Sequence, residues 1–509
     1  MVFWNRKNGY KHLLEDTFEL EPVTGIPPGP HIQYRTFSKQ EFEMVPTGKE
    51  DIARILKGAA TLNNGSVHLD DPETLRRGPL DTLAANSVLN ENPEVRAYCR
   101  FVIKHLAQQM GIVPASIQGL YDARGKGENK GYTVPALNIR GMSYDFSRAI
   151  FRTAQAMDSG AFIFEIAKSE IGYTHQQPHE LIAVILAAAI KEGFKGPVFV
   201  QGDHFQISAK KYHENRDKEV EGLKTLIKQA MAAGFYNIDI DTSTLVTLEP
   251  EDVKEQQRLN FEVGVELTRF VRDNEPEGIT VSVGGEIGEV GKENSNEAEL
   301  RAYMDNFNEN LRKANPNYKT ISKISIQTGT EHGGVPLPDG SVAEVALDFN
   351  TLENLSRISR EDYGLAGAVQ HGASTLPSEL FNKFPELETA EIHLATDFQN
   401  MIYESKHFPK ELKDRIYAHL HSEFIDDKKP GWTDEQFLYK TRKKGFGNPF
   451  KKEFWNLPEE IKNEIGKELE GKVRFLFEQL KAGNTSGYVA QTIEPVNVAP
   501  CLENELNHA

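Results

Sequence analysis

The chain has only two cysteines in 509 residues, Cys99 and Cys501, far apart in sequence. That excludes a disulfide framework and any zinc site built from several thiolates. A metal would have to be held by histidine and carboxylate. Long apolar runs are missing too. The longest, "LIAVILAAAI" from Leu181, has 10 residues, whereas a bilayer-spanning helix needs about 20. The opening "MVFWNRKNGYKHLLED" lacks the apolar segment of a secretory signal. Positive charge is in deficit, with 58 Lys and Arg against 75 Asp and Glu and a net charge of −17. That argues against nucleic acid, whose phosphates need clustered cations. The expectation is a soluble cytoplasmic protein with neither nucleic acid nor membrane as partner.

What is present is a large apolar fraction, 39%, enough for a sizeable core. Residues 1–131 read as an uneven, partly helical N-terminal extension. "EPVTGIPPGPH" is turn-rich, and "GKEDIARILKGAATL" and "NPEVRAYCRFVIKHLAQQMGI" have helical spacing. "DARGKGENKG" from Asp122 reads as an exposed loop, because its Gly and Lys lack the order of a phosphate-cradling loop.

From Tyr132 the rhythm changes. Short apolar runs alternate with amphipathic helices: "YTVPALNI", "AFIFEIA", "GPVFVQGD", "YNIDID", "GITVSVGGE", "TISKISIQTG", "LAGAVQHG" and "TAEIHLATD". Strands alternating with helices imply a parallel sheet. Eight such units over residues 132–405 predict a (β/α)8 TIM barrel, with an open doubly wound sheet as the alternative. Residues 406–509 have helical patterns only and read as an α-helical C-terminal extension.

Catalytic groups of a barrel gather where its strands end. The expected strand ends carry Asn138, Asp203-His204, Asp239 and Asp241, Glu286, Thr330-Glu331-His332, His371-Gly372, and finally His393, Thr396 and Asp397. His204, His332 and His371 come from three different strands, and three imidazoles with one open position make a catalytic zinc site. Such an ion polarises a carbonyl, while neighbouring carboxylates orient imidazoles or move protons. The "HGGV" and "HGAST" loops, with Ser374 and Thr396, read either as anion-binding backbone or as ordinary turns.

In these residues the chain resembles the class II fructose-bisphosphate aldolase family, over roughly residues 132–405. "VPALNIRG" is similar to the family's first strand with its substrate-contacting Asn, here Asn138. "VFVQGDHFQ" resembles the motif in which Asp is the acid/base and the next His binds zinc. "NIDIDTST" resembles the Ile-Asp-x-Ser strand, with Asp241 and Ser243 at its end. "GGEIGEVGKEN" is similar to the glutamate motif and mobile loop, and "TEHGG" and "QHGAS" to the second and third zinc histidines. The resemblance implies a Zn2+-dependent aldolase acting on a ketose phosphate through a metal-stabilised enediolate. It implies His204, His332 and His371 as zinc ligands, Glu286 near the resting metal, Asp203 as the acid/base, and Glu293 as the base toward carbon. It also implies substrate contacts from Asn138, Asp241, Ser243, Gly333, Gly372, Ser374, His393 and Thr396, and a homo-oligomer, dimer or larger.

The departures concern the substrate. The family's strand-eight Asn is matched here by His393, an acidic residue of that strand by Ala395, and a phosphate-side Ser by Ala167. No Lys follows the second histidine, where "HGGVPLPDG" places Pro336 and Pro338. These losses put a bisphosphate in doubt and leave open a sugar or sugar-acid epimerase or isomerase on the same barrel. A non-catalytic accessory subunit is a third reading, against which the survival of all three histidines and Asp203 speaks. The basic run "KTRKKGFGNPFKK" from Lys440 is either a solvated face or the missing anion-binding charge, within the chain or across a dimer interface.

Overall fold

The computed structural model describes residues 46–63, 65–288, 293–329, 336–338, 347–373 and 376–508. All of them belong to a unit that begins at Met44. β1 (Ala60–Asn63) and β2 (Ser66–Leu69) form an antiparallel hairpin. The remaining strands are β3 (Ile112–Ala115), β4 (Val134–Asn138), β5 (Ile163–Ala167), β6 (Gly196–Gln206), β7 (Asn237–Asp241), β8 (Ser282–Glu286), β9 (Lys323–Ile326), β10 (Ala368–Gln370) and β11 (Glu391–Leu394).

β4 to β11 are parallel and close on themselves. β11 pairs with β4 and β6 with β7, so the open sheet is excluded and the eight expected runs make a (β/α)8 barrel. The strands are buried on both faces, which explains why their sequences read as short continuous apolar runs. β3 lies outside the ring, paired with the start of β6. The run "LIAVILAAAI" lies in the helix Pro178–Glu192, which is buried nearly all round because it packs against the helices Pro93–Gln109 and Ser143–Ala156. Among the described residues, no helix is long and apolar enough to cross a membrane.

The barrel interior is polar. Lys323 Nζ lies 2.6 Å from Gln201 Oε1 and 3.1 Å from Asp239, and it also pairs with Glu391. Glu391 further accepts from Tyr121 and Gln201. Each charge is taken out of water, so each needs such a partner.

Two local expectations change. The helix Lys49–Ile55 is shorter than the apolar spacing suggested, because the chain turns at Gly58 into β1. Asp122–Gly131 is not simply an exposed loop. Its start lies in the helix Gln118–Gly125, and Arg124 is buried, bonding the carbonyls of Tyr132, Ala366 and Thr389.

Beyond the last strand the structure is mostly helical, with Lys410–Glu423 and Glu459–Gln479 the longest helices and Thr396–Glu404 and Asp434–Thr441 shorter. The short helix Leu502–Leu506 is held back on the body of the fold: Glu505 meets Lys104 at 2.5 Å and His179 Nδ1 at 3.1 Å.

Candidate active site

A cavity of about 450 Å3 opens at the C-terminal ends of the strands. Asp203, His204, His371, Gly372, His393 and Thr396 line it, together with Glu165, Arg140, Glu170 and Lys443.

Neighbouring residues of a regular strand face opposite ways, so Asp203 and His204 need a special backbone to share this cavity. The sequence placed the two at the end of their strand, where the alternation of faces stops. Instead β6 runs on to Gln206, and the special backbone is a bulge. Gly202 pairs with Ile238 and Phe205 with Ile240, which leaves two residues of β6 facing one of β7. His204 sits at φ 41°, in the left-handed region that non-glycine residues adopt at a cost. Gly202 leaves room for the bulge: a Cβ there would lie 2.5 Å from the Phe205 ring.

The bulge places His204 among carboxylates. Its Nδ1 is 3.2 Å from Asp241 and 3.3 Å from Glu286, and its Nε2 is 3.7 Å from Asp203. Asp241 is oriented in turn by Gln206 and by the Ser243 hydroxyl at 2.7 Å. Across the mouth, His371 lies with its ring 4.2 Å from that of His204, and its Nε2 is 3.0 Å from Ser325 Oγ. These second-nitrogen contacts are the kind that orient imidazoles at metal sites.

The electrostatics report excess negative charge. Burial opposes protonation of His204, but Asp203 and Glu286 raise its pKa well above the ordinary imidazole value. Burial, with the Asp241 charge beside it, pushes Glu286 up to about 7. Asp241 is held low despite burial, by hydrogen bonds from His204, Ser243 and Gln206. A divalent cation would relieve this excess and displace the proton. The donor atoms of Asp203, His204 and His371 all lie within 4.8 Å of one another, as do those of His204, Asp241 and Glu286. The donor set therefore fits a divalent metal with nitrogen and oxygen ligands.

His393 takes a deeper position than a substrate contact alone would need. Its Nδ1 lies 3.0 Å from Glu165 and 3.2 Å from Asp203, and its Nε2 lies 2.7 Å from Glu391. Its ring is 4.2 Å from that of His371. Burial works against its charge, yet Glu165 and Asp203 raise its pKa well above the usual value. Burial pushes Glu165 itself up to about 7.

The other expected residues divide into four groups. Gly372 and Thr396 line the cavity. Asn138 is turned to the site's wall, where its Nδ2 donates to Glu170 at 2.6 Å. Glu293 is exposed and does not line the cavity. His332, Gly333 and Ser374 lie outside the described residues.

Sequence reading passed over Glu165, Glu170, Glu391, Lys323 and Arg140. A signal existed for two of them. Glu165 interrupts the apolar "AFIFEIA", and a carboxylate in a doubly buried strand must have a partner. Glu391 stands two residues before His393 and so shares its face of the strand.

Comparison with known proteins adds the following. The family model described as fructose-bisphosphate aldolase class-II matches residues 121–444. No curated protein matches. Among solved structures, a glycerol-complexed fructuronate-tagaturonate epimerase UxaE from Cohnella laeviribosi is 12% identical, covering 86% of this chain and 90% of that one with a TM-score of 0.51. A fructose-bisphosphate aldolase from Campylobacter jejuni is 18% identical over 74% of this chain and 97% of that one, with a TM-score of 0.44. At 12% identity the likeness to the epimerase is one of fold alone.

Proposed function

The chain belongs to the class-II fructose-bisphosphate aldolase family, and from that premise we propose that it is a zinc-dependent aldolase of an anionic ketose. The observation that supports this most is the β6 bulge, which turns the adjacent Asp203 and His204 into one cavity opposite His371. His204 and His371 would hold the metal, with Glu286 beside them and His332 as the expected third imidazole. Bound there, the ion would supply Lewis-acid polarisation of the substrate carbonyl.

The residues of the chain do the rest. Asp203 takes the proton from the hydroxyl on the far side of the bond that breaks, and returns it in the reverse reaction. The family resemblance alone assigns protonation of the departing ketone's carbon to Glu293, which stands exposed and outside the cavity lining here. Glu170, held by Arg140 and Asn138, fixes the wall of the cavity. A substrate with two phosphates is not expected, because the family's lysine after the second histidine is absent and Pro336 and Pro338 occupy its segment.

A second reading has its own observation. His393, lying between Glu165 and Asp203, adds an acid/base group that an aldolase of this family does not require. With it the chain would be an epimerase or isomerase of a keto sugar or keto acid, the reaction class of the UxaE structure. One experiment separates the readings. The zinc-loaded protein is given fructose 1,6-bisphosphate, a ketose monophosphate and a six-carbon keto acid in parallel, and products are resolved by mass. Two shorter fragments support the aldolase. An isomer of unchanged mass supports the epimerase. Efficient cleavage of the bisphosphate alone, at kcat/KM of about 10⁴ M⁻¹s⁻¹ or more, would refute the substrate expectation.

A further inference from the structure

We propose that Lys440 and Lys443 of the C-terminal extension, together with Arg140 at the end of β4, form an anion subsite on the rim of the cavity. It would receive the terminal oxyanion of the substrate, a phosphate or a carboxylate. The inference rests on the reading that the cavity binds a keto sugar.

The first observation is placement. Lys440 and Lys443 line the same cavity as Asp203, His204 and His371, with Arg140 on that wall. Lys440 lies in the last turn of the helix Asp434–Thr441, and Lys443 in the 3-10 turn Arg442–Phe446 that continues it. Three residues apart across such a junction, they fall on one side.

The second observation is how Arg442, Lys444 and Lys451 of the basic run are held. Arg442 pairs with Glu404 at 2.8 Å, Lys444 with Asp427, and Lys451 with Glu180 at 2.6 Å. Those charges are spent on docking the extension. Lys443 has no carboxylate at ion-pair distance among the described residues, and its ammonium lies 5.7 Å from the centre of the Tyr173 ring. Its pKa is lowered, first by burial and then by the positive charge of Arg140, with Lys440 adding to it. Arg140 is aimed by Glu170 at 2.7 Å and by Gln399 at 2.8 Å, which leaves it a fixed, partly compensated charge.

The third observation is rigidity. The Thr433 hydroxyl donates to the Pro338 carbonyl at 3.2 Å and Gln436 Nε2 to that of Pro336 at 2.8 Å. The extension is thus attached to the segment from which the family's lysine is missing. On the other side the contact is closed by glycines, Gly141 of the barrel and Gly447 of the extension, that leave no room for a side chain. A Cβ on Gly141 would lie 2.1 Å from the Phe446 ring, and one on Gly447 would lie 2.0 Å from the Tyr173 carbonyl oxygen. Converging cations on a fixed support, beside a cavity that also holds acid/base groups, recognise an oxyanion by charge and position.

The test uses the full-length, zinc-loaded protein and calorimetric titration with three probes: orthophosphate, a six-carbon keto acid and unphosphorylated fructose. The wild type is expected to bind at least one anion. Lys443→Gln, and more so K440Q with K443Q, should weaken that binding about tenfold or more and leave fructose binding and zinc content unchanged. The anion that loses most identifies the source of the oxyanion. Lys444→Gln, whose charge is paired with Asp427, serves as the matched control and should change nothing. Equal anion affinity in Lys443→Gln and wild type, or no anion binding by the wild type, would overturn the subsite. If the wild type converts no ketose while Lys443→Gln still loses the anion, the subsite stands and the functional reading fails. If conversion is found and the variant keeps its KM and anion affinity, the reverse holds.

Discussion

His204 and His371 face one another with ring centroids 4.2 Å apart and planes inclined by 38°, although they follow from β6 and β10, which stand opposite in the ring of strands. Only residues leaning over the mouth from opposite walls can meet in this way. Removing one of them should remove the metal. His371→Ala is expected to lose zinc affinity by more than 100-fold, and Ser325→Ala by about 10–100-fold, since Ser325 only orients the ring. Competition with a chromophoric chelator measures both. A His371→Ala protein that still binds one zinc at wild-type affinity would exclude this residue as a ligand.

Asp203 is assigned to proton movement and not to holding the ion. Asp203→Asn should therefore keep near-wild-type zinc content and lower kcat by about 10²–10⁴-fold. Zinc content by emission spectroscopy and single-turnover rates are the two readouts. Loss of zinc in parallel with activity would instead make Asp203 a ligand, a role that its grouping with His204 and His371 also permits.

Gly202 carries the bulge. A methyl group at this position meets the Phe205 ring at 2.5 Å, so either the ring or the bulge must move. Gly202→Ala should destabilise the fold by about 1–3 kcal/mol, seen as a lower urea midpoint. Phe205→Leu in the same chain should restore part of that loss. If the double variant regains stability but not zinc affinity, the bulge geometry itself matters to the site.

Glu505 gives a pH dependence with a defined sign. Although buried, its carboxyl is held down at about 2 by the Lys104 ammonium and the His179 ring. A depressed folded-state pKa means stability that is fully present above the unfolded value of about 4.3 and is lost as pH falls toward 2. Glu505→Gln should thus be less stable than wild type at pH 6. The gap in urea midpoint should close progressively below pH 4.5. A gap that is constant with pH would show that packing, and not the ion pair, holds the helix Leu502–Leu506.

Eight short apolar runs separated by amphipathic helices were enough to determine a parallel sheet of eight strand-helix units, because strand and helix periodicity are local properties written residue by residue; its closure into a barrel was seen only in the strand pairing. The strand-end rule likewise pointed to Asp203, His204, Asp241, Glu286 and His371 without coordinates. It also picked out the basic run from Lys440, but not which of two roles that run plays. The tertiary structure decided what depends on closure and on distance. A bulge of one residue, invisible in "VFVQGDHFQ", turns Asp203 and His204 to one side. Glu165, Glu391 and Lys323 form their interior network only because strands far apart in sequence surround one axis. Lys440 and Lys443 reach the mouth because the extension folds back over the barrel, where Phe446 fills the space above Gly141. Local sequence specifies which face of an element is apolar; which charges then share one low-dielectric cavity is set by packing between elements.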